Sequence, residues 1–144
     1  MARILWADDE IDSLKSHIIF LEKKNHEVFA VNSGNEAVQE FKENSFDIVF
    51  LDENMPGMSG LKALEEIKTI HPTIPVIMIT KSEEEMIMEE AIGKQISDYL
   101  IKPVNPNQIL MAIKKQLDSK RLISETNTVS YQQNFREISN DLNR

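Results

Sequence analysis

Five short apolar runs, separated by longer stretches of helical periodicity, are the feature of this sequence that most restricts its fold. The runs are Ile4–Ala7, Glu27–Val31, Asp47–Leu51, Val76–Ile79 and Tyr99–Ile101. Runs with so few polar interruptions are typical of parallel strands that are buried on both faces. The order of elements, βαβαβαβαβα, therefore predicts an α/β fold with a parallel sheet and right-handed crossovers.

Amphipathic patterns predict a helix after each strand. Ser33 with Glu36, and Ser82 with Glu85, have the spacing of a capping box, and Asn105 is placed to begin the fifth helix. The apolar positions step by three or four residues in most of these stretches. They are Ile11, Leu14, Ile18 and Leu21, then Ala37, Val38 and Phe41, then Leu61, Leu64 and Ile67, then Ile87, Ala91 and Ile92, and finally Ile109, Ile113 and Leu117.

The length of 144 residues suits one domain with a short C-terminal segment. We assign residues 1–120 to the domain. Residues 121–144 are interpreted as a linker, or a continuation of the fifth helix, followed by the start of a helical region truncated from a larger protein. In that segment Tyr131, Phe135, Ile138 and Leu142 have helical spacing. Because so short a helix has nothing of its own to pack on, it must dock on the domain, pair with another chain, or begin a further region.

Composition argues against several classes of function. The net charge is -8, and no compact cluster of Lys and Arg offsets it, so we expect no direct binding to nucleic acid. The absence of cysteine excludes disulfides and thiolate metal sites. No segment approaches the length of a membrane span or has the pattern of a signal peptide, so we expect a soluble, cytoplasmic protein. His17, His26 and His71 have no partner at metal-ligand spacing and are expected at the surface.

Polar side chains follow four of the predicted strands. Asp8 and Asp9 follow the first strand, Asp52 the third, Thr80 the fourth and Lys102 the fifth. The carboxyl ends of parallel strands meet at one edge of the sheet, where open α/β folds bind ligands. Each residue alone is explained equally well as a helix cap or a strand end. The ordered set instead indicates a functional site.

Three carboxylates that meet at this edge repel one another. Each pair at roughly 4 Å costs about 4 kcal/mol at an effective dielectric constant near 20, and one Lys cannot cancel that. Either a carboxyl group is protonated or a cation is bound, and an all-oxygen ligand set favours Mg²⁺ or Mn²⁺. With a metal in place, an Asp can act as nucleophile toward a phosphoryl donor, while Lys102 and Thr80 stabilise the transferred oxygens.

In combination, these residues resemble the signature of bacterial response-regulator receivers, the CheY-like domains. The matching positions are Asp8–Asp9, Asp52 with Met55–Gly57 after it, Thr80, and Lys102–Pro103. The resemblance covers about residues 1–120 and implies a flavodoxin-like, doubly wound (βα)5 sheet with strand order 2-1-3-4-5. It also implies a sensor histidine kinase as partner and control of an output domain or a downstream signalling protein. Such a domain catalyses only its own phosphorylation and dephosphorylation.

The resemblance implies a role for each matching residue. Asp52 is expected to be the phosphoacceptor. Asp9 and Asp52 are expected to bind Mg²⁺ directly, Asp8 through a metal-bound water, and Asn54 through its backbone carbonyl. The family implies no organic cofactor.

The resemblance also implies a conformational switch. Thr80 and Tyr99 match the switch pair, whose reorientation changes the surface formed by the fourth helix, the fifth strand and the fifth helix. We expect phosphorylation to drive homodimerisation through that surface. The Lys102–Pro103 peptide bond is expected to be cis. Lys81 stands where receivers usually have a small residue, so we expect it to alter donor access and phosphoryl lifetime.

A narrower resemblance is to the PorX-type regulators of type IX secretion. In that family the receiver precedes a helical region and a PglZ-type domain that is alkaline-phosphatase-like. The segments that carry this resemblance are Leu5–Glu10, Asp52–Pro56, Thr80–Glu85 and Tyr99–Pro106.

Three other functions are weighed against the receiver. A haloacid-dehalogenase-like phosphatase also uses an Asp nucleophile with Mg²⁺, but it needs a second acid where this chain has Asn54, and its nucleophile follows the first strand. A flavin-binding module of the same topology needs a Ser/Thr/Gly-rich loop where this chain has Asp8–Glu10. A degenerate receiver that signals by binding alone is disfavoured because the set of site residues is complete.

Overall fold

The computed structural model describes residues 1–81, 93 and 95–119. Its strands are β1 (Arg3–Ala7), β2 (Glu27–Val31), β3 (Ile48–Asp52), β4 (Val76–Thr80) and β5 (Asp98–Ile101). They form one parallel sheet in the order β2-β1-β3-β4-β5. The predicted α/β fold and its strand order are therefore confirmed.

Helices follow the first three strands and the last one. A 3-10 turn (Ile11–Leu14) leads into α1 (Lys15–Lys23), and α2 (Gly34–Glu43) and α3 (Gly60–Ile70) follow. The last helix among the described residues, called the final helix below, covers residues 106–119. The predicted helix with its Ser82–Glu85 cap, and the segment 121–144, lie outside the described residues. In the described part of the chain, no helix is long and apolar enough to cross a membrane.

The two faces of the sheet carry separate hydrophobic cores. On one face α2 and α3 pack against alternate strand residues, and the core contains Leu5, Val38, Phe41, Leu51, Leu64, Ile67 and Met78. On the other face α1 and the final helix cover the remaining strand positions, and that core contains Ile4, Trp6, Leu21, Phe50, Ile77, Ile109 and Ile113. This division places helices on both faces of the sheet, as the continuous apolar runs predict.

Side-chain caps fix the points where the helices begin. The Ser33 hydroxyl accepts the backbone N–H of Glu36 at 3.1 Å, as its spacing predicts. The N–H of Gln108 donates to Oδ1 of Asn105 at 2.9 Å, and the N–H of Asn105 donates to Oε1 of Gln108 at 2.8 Å. This reciprocal cap confirms Asn105 as the start of the final helix.

Two details differ from the sequence-based predictions. The third strand extends to Asp52, which we expected just after it. The cause is that the ladder to β4 continues past this residue, since the N–H of Glu53 donates to the carbonyl of Ile79 at 3.0 Å. Second, the stripe that begins at Ile11 predicted one helix, but its first four residues form a 3-10 turn.

The expectation that all three histidines lie at the surface was wrong. Nδ1 of His26 accepts the backbone N–H of Ala2 at 3.1 Å, and burial lowers the pKa of this imidazole. Nε2 of His17 lies 2.7 Å from the carbonyl oxygen of Val104. Metal-ligand spacing could not reveal these contacts, because each joins one imidazole to a distant backbone group. His71 is exposed, as expected.

Candidate functional site

Three charged side chains meet at the carboxyl edge of the sheet. Asp8 directly follows β1, Asp52 ends β3, and Lys102 directly follows β5. Two residues before each of them stand Trp6, Phe50 and Leu100, which belong to or pack against the core beneath α1. Because side chains alternate along a strand, all three charged residues project on the α1 side of the sheet.

A single ammonium group pairs with two buried carboxylates. Nζ of Lys102 lies 3.1 Å from Oδ2 of Asp8 and 3.4 Å from Oδ1 of Asp52. Both carboxylate side chains are 1% exposed, whereas the Lys102 side chain is 19% exposed. The cluster is therefore short of positive charge even before Asp9 is considered.

The surroundings of Asp52 favour its protonated form. Burial, and then repulsion by Asp8, raise the pKa of Asp52 from 3.8 to about 6, and the side chain of Asp9 acts in the same direction. The Lys102 ammonium and the backbone of Asn54 oppose this rise. For Lys102 itself, burial lowers the pKa, but the Asp52 and Asp8 carboxylates outweigh burial and the net pKa is raised.

The acidic residues fit a divalent cation. Asp8, Asp9 and Glu10 offer carboxylate oxygens that all lie within 4.8 Å of one another. Oδ2 of Asp8 and both carboxylate oxygens of Asp52 are buried, and apart from the ion pairs with Lys102 they make no hydrogen bond of good geometry among the described residues. Buried carboxylates that share one ammonium are costly, and a set of carboxylates suits a hard cation such as Mg²⁺.

The turn after β1 orients Asp8. Its Oδ1 accepts the backbone N–H of Glu10 at 2.8 Å, while Oδ2 faces Lys102. Its own N–H donates to the carbonyl of Val31 at 3.1 Å. Glu10 was not among the predicted metal ligands. The only sequence feature that pointed to it was its place in the acidic run Asp8–Glu10.

Thr80 and Tyr99 lie on the opposite face of the sheet from the charged cluster. Thr80 ends β4 and is fully buried. Tyr99 pairs in register with Met78 and packs against the core beneath α2 and α3. Since Met78 belongs to that core, Thr80, two residues further along, projects on the same side. The structure thus puts the predicted switch residues on neighbouring strands and on one face.

The loop after Asp52 needs glycine at two positions. A Cβ at Gly60 would collide with the carbonyl oxygen of Asp52 and lie 2.9 Å from Cα of Glu53, so α3 can begin this close to β3 only with glycine there. Gly57 has a φ of 82°, in the left-handed region. Asn54 is exposed in this loop.

Two expectations concern residues beside the cluster. The Lys102–Pro103 peptide bond is cis, as expected. Lys81 is exposed next to Thr80 and lines the same pocket as Lys102.

Comparison with known proteins agrees with this architecture. The profile of the response regulator receiver domain matches residues 4–114. The chemotaxis protein CheY of Bacillus subtilis is 35% identical over 117 residues, which cover 81% of this chain and 98% of the relative. A response regulator receiver domain of Clostridium thermocellum superimposes with a TM-score of 0.77 at 34% identity, covering 85% of this chain and 99% of the other.

Some relatives are much longer. The transcriptional regulatory protein ZraR of Escherichia coli O157:H7 is 33% identical over 131 residues, which are 90% of this chain but 30% of that protein. NtrX of Brucella abortus, solved in complex with ATP, has a TM-score of 0.78 at 28% identity, with 89% of this chain and 29% of that chain covered.

Receiver domains are phosphoacceptor signalling domains that sensor histidine kinases phosphorylate, with Mg²⁺ bound at an acidic site. The chain belongs to the response regulator receiver family, and its described fold is that of a two-component receiver domain.

Proposed function

We propose that Asp52 accepts the phosphoryl group and that Asp8, Asp9, Asp52 and the backbone carbonyl of Asn54 hold Mg²⁺, or Mn²⁺ in its place. The observation that carries the proposal is the buried cluster at the sheet edge, in which the Asp52 carboxylate faces Lys102 but accepts no hydrogen bond of good geometry from the part of the chain that the structure describes. Such oxygens are available to a cation and to an incoming phosphorus atom.

The transfer uses Asp52 as the nucleophile. One of its carboxylate oxygens attacks the phosphorus of the donor, an O–P bond forms, and the bond to the leaving group breaks with its electron pair going to that group. With a pKa of about 6, Asp52 is largely ionised at pH 7.5, as a nucleophile must be. A cation held by the proposed ligands would supply positive charge for the phosphoryl oxygens.

Lys102 and Thr80 act on the same oxygens. The Lys102 ammonium lies 3.4 Å from Asp52, close enough to neutralise one oxygen of a phosphoryl group carried there. Thr80 projects on the other face of the sheet, so in this proposal its side chain reorients once the group is attached, and its hydroxyl then donates to another phosphoryl oxygen. We assign the readout to Thr80 and Tyr99, because their shared face lets a movement of one side chain change the space open to the other.

Mass spectrometry after incubation with acetyl phosphate and Mg²⁺ tests the phosphoacceptor. The wild-type chain gains one phosphoryl group, and Asp52→Asn gains none. A wild-type chain that stays unmodified, or a modified Asp52→Asn, contradicts the assignment. Asp9→Asn serves as the control for the metal, since it should raise the Mg²⁺ concentration needed without removing the acceptor.

The consequences of phosphorylation extend to partners. In this proposal a sensor histidine kinase supplies the phosphoryl group in the cell. The change is then transmitted by the surface that β5, the final helix and the helix predicted after β4 form together. That surface acts either by homodimerisation or by contact with an output region. Sedimentation with and without beryllofluoride, which mimics the attached phosphoryl group, tests this. A sedimentation coefficient that does not change removes the dimer from the proposal.

The narrower proposal places the chain in a PorX-type regulator with a PglZ-type output domain. Its support is the likeness of the segments around Asp8, Asp52, Thr80 and Lys102 to that family. Cells in which Asp52 of the full-length protein is replaced by Asn should then lose regulation of type IX secretion, and unchanged secretion would remove this link.

Two related points concern the alternatives. The haloacid-dehalogenase-like phosphatase has no support, because Asn54 stands where its second acid belongs and the matches are to receivers. A multiple-turnover assay on small phosphoesters should show no activity.

ZraR is named a transcriptional regulatory protein. Our proposal that residues 1–120 do not bind nucleic acid directly concerns this domain alone, and filter binding to duplex DNA tests it.

A further inference from the structure

The segment that carries Lys102 is held by few backbone bonds. It follows β5, which lies at the edge of the sheet and pairs with β4. The N–H of Lys102 donates to the carbonyl of Thr80 at 2.7 Å, and Pro103 has no N–H to extend the ladder. The helix cap begins only at Asn105. Between these points, the path of the chain depends on contacts from another element.

That contact comes from His17 on α1. Its Nε2 lies 2.7 Å from the carbonyl oxygen of Val104, two residues after Lys102. A carbonyl oxygen can only accept, so Nε2 must carry the hydrogen. The Val104 side chain also packs against the core on this face, but apolar contact does not fix the direction of its carbonyl group. The hydrogen bond does.

Packing alone does not account for a histidine at this position. Nδ1 of His17 and Nε1 of Trp6 are both buried without a hydrogen-bond partner among the described residues. The two rings meet edge to face, with centroids 6.3 Å apart and planes at 81°. A phenylalanine at position 17 would make the same ring contact and bury no unpartnered nitrogen. What the histidine adds is the bond to Val104.

The space around this bond is not filled. An open pocket of about 420 Å³ lies beside it, with Leu14 and His17 on the α1 side and Lys102, Pro103 and Val104 on the other. Close packing therefore reaches this loop through the Val104 side chain, while the pocket lies between the other lining side chains of the two walls. In the described part of the chain, the hydrogen bond of His17 is the one that spans the two walls.

We propose that His17 is a positioning residue for phosphoryl transfer, which holds the loop after Lys102 at the distance from α1 at which the ammonium reaches both Asp8 and Asp52. The inference rests on the proposed role of Lys102. If the hydrogen bond from His17 to Val104 is lost, we expect the loop to shift across the pocket, so that Lys102 no longer meets the phosphoryl oxygens. The ligands of the cation, which lie on other strands, stay in place.

Two amide variants separate the hydrogen bond from the size and polarity of the side chain. In His17→Gln the terminal nitrogen can reach the place of Nε2 and donate to Val104. In His17→Asn the nitrogen stops near the place of Nδ1, one atom too short. We expect acetyl phosphate to phosphorylate His17→Gln within about twofold of the wild-type rate, and His17→Asn about tenfold more slowly. Isothermal titration should give both variants a Mg²⁺ dissociation constant close to that of the wild type.

Three results would overturn the inference: equal rates for the two variants, a rate for His17→Asn within twofold of wild type, or a parallel loss of Mg²⁺ binding. The last would show general damage to the site. Thermal unfolding of both variants establishes that they are folded at the assay temperature, and His17→Phe provides a third comparison that keeps the ring contact with Trp6. Failure of the proposed function is distinguishable, because the wild-type chain itself would then not be phosphorylated.

Discussion

Replacing Asp52 by Asn should stabilise the domain when no divalent cation is bound. Burial and the Asp8 carboxylate raise the pKa of Asp52 from 3.8 to about 6. At about 1.4 kcal/mol for each pH unit, this corresponds to about 3 kcal/mol of unfavourable free energy for the ionised form in the folded state. Solvent in the open pocket beside Asp8 and Lys102 screens part of this energy, so we expect a gain of about 1–2 kcal/mol for Asp52→Asn at pH 8.

The direction of the pH dependence follows from proton binding. Between pH 3.8 and about 6 the folded state holds a proton on Asp52 that the unfolded state has lost, so the free energy of unfolding decreases as the pH rises through this range. Above about pH 7 the penalty is complete, because the folded state has then also lost the proton. Asn has no such titration, so the advantage of the variant should be largest at pH 8, about half as large at pH 5, and absent well below pH 4.

Urea denaturation in EDTA, followed by the fluorescence of the single, fully buried tryptophan, measures this difference. Asp12→Asn is the matched control, because Asp12 is exposed and its replacement should change the free energy of unfolding by less than about 0.5 kcal/mol. If Asp52→Asn is less stable than wild type at pH 8, or if its advantage does not depend on pH, the account of repulsion at the site is wrong. Saturating Mg²⁺ should reverse the order of stabilities, since Asp52→Asn lacks the carboxylate that we propose as a metal ligand.

Three further substitutions test the site. Lys102→Ala should slow phosphorylation by acetyl phosphate about a hundredfold, as rate measurements would show. The same variant should bind Mg²⁺ a few-fold more tightly in calorimetry, because no ammonium competes for Asp8 and Asp52. Lys81→Ala should change both the rate of phosphorylation and the lifetime of the phosphoryl group, and unchanged rates would show that Lys81 does not affect donor access. Gly60→Ala should lower the free energy of unfolding by about 2–4 kcal/mol, because its Cβ would meet backbone atoms of Asp52 that cannot move aside; a normal urea midpoint would contradict this.

The sheet and the charged cluster were predictable because both follow from local patterns. Continuous apolar runs identify strands buried on both faces, and parallel strands bring their carboxyl ends to one edge. Asp8, Asp52 and Lys102 therefore had to converge once the strands were placed. The distances of 3.1 and 3.4 Å from the ammonium to the two carboxylates show how closely they do so.

The features that escaped prediction depend on backbone geometry away from the strands. The bond from His17 to the carbonyl of Val104 joins residues 87 positions apart, and any residue type could supply that carbonyl. Besides its carboxylate, Glu10 contributes its backbone N–H, which donates to Oδ1 of Asp8 at 2.8 Å and orients that side chain. Neither contact leaves a residue-type pattern in the sequence, because the partner atom belongs to the main chain.

The charge repulsion on which the proposed metal site depends also destabilises the metal-free domain. Burying Asp8 and Asp52 around one ammonium raises the pKa of Asp52 and lowers the free energy of unfolding at neutral pH. The same repulsion favours cation binding. A cation present at about 100 times its dissociation constant stabilises the folded state by about 2.7 kcal/mol, which exceeds the penalty of about 1–2 kcal/mol expected for ionised Asp52. At such a concentration of Mg²⁺ the proposed site would hold the metal with Asp52 ionised, which is the form that the proposed nucleophile requires.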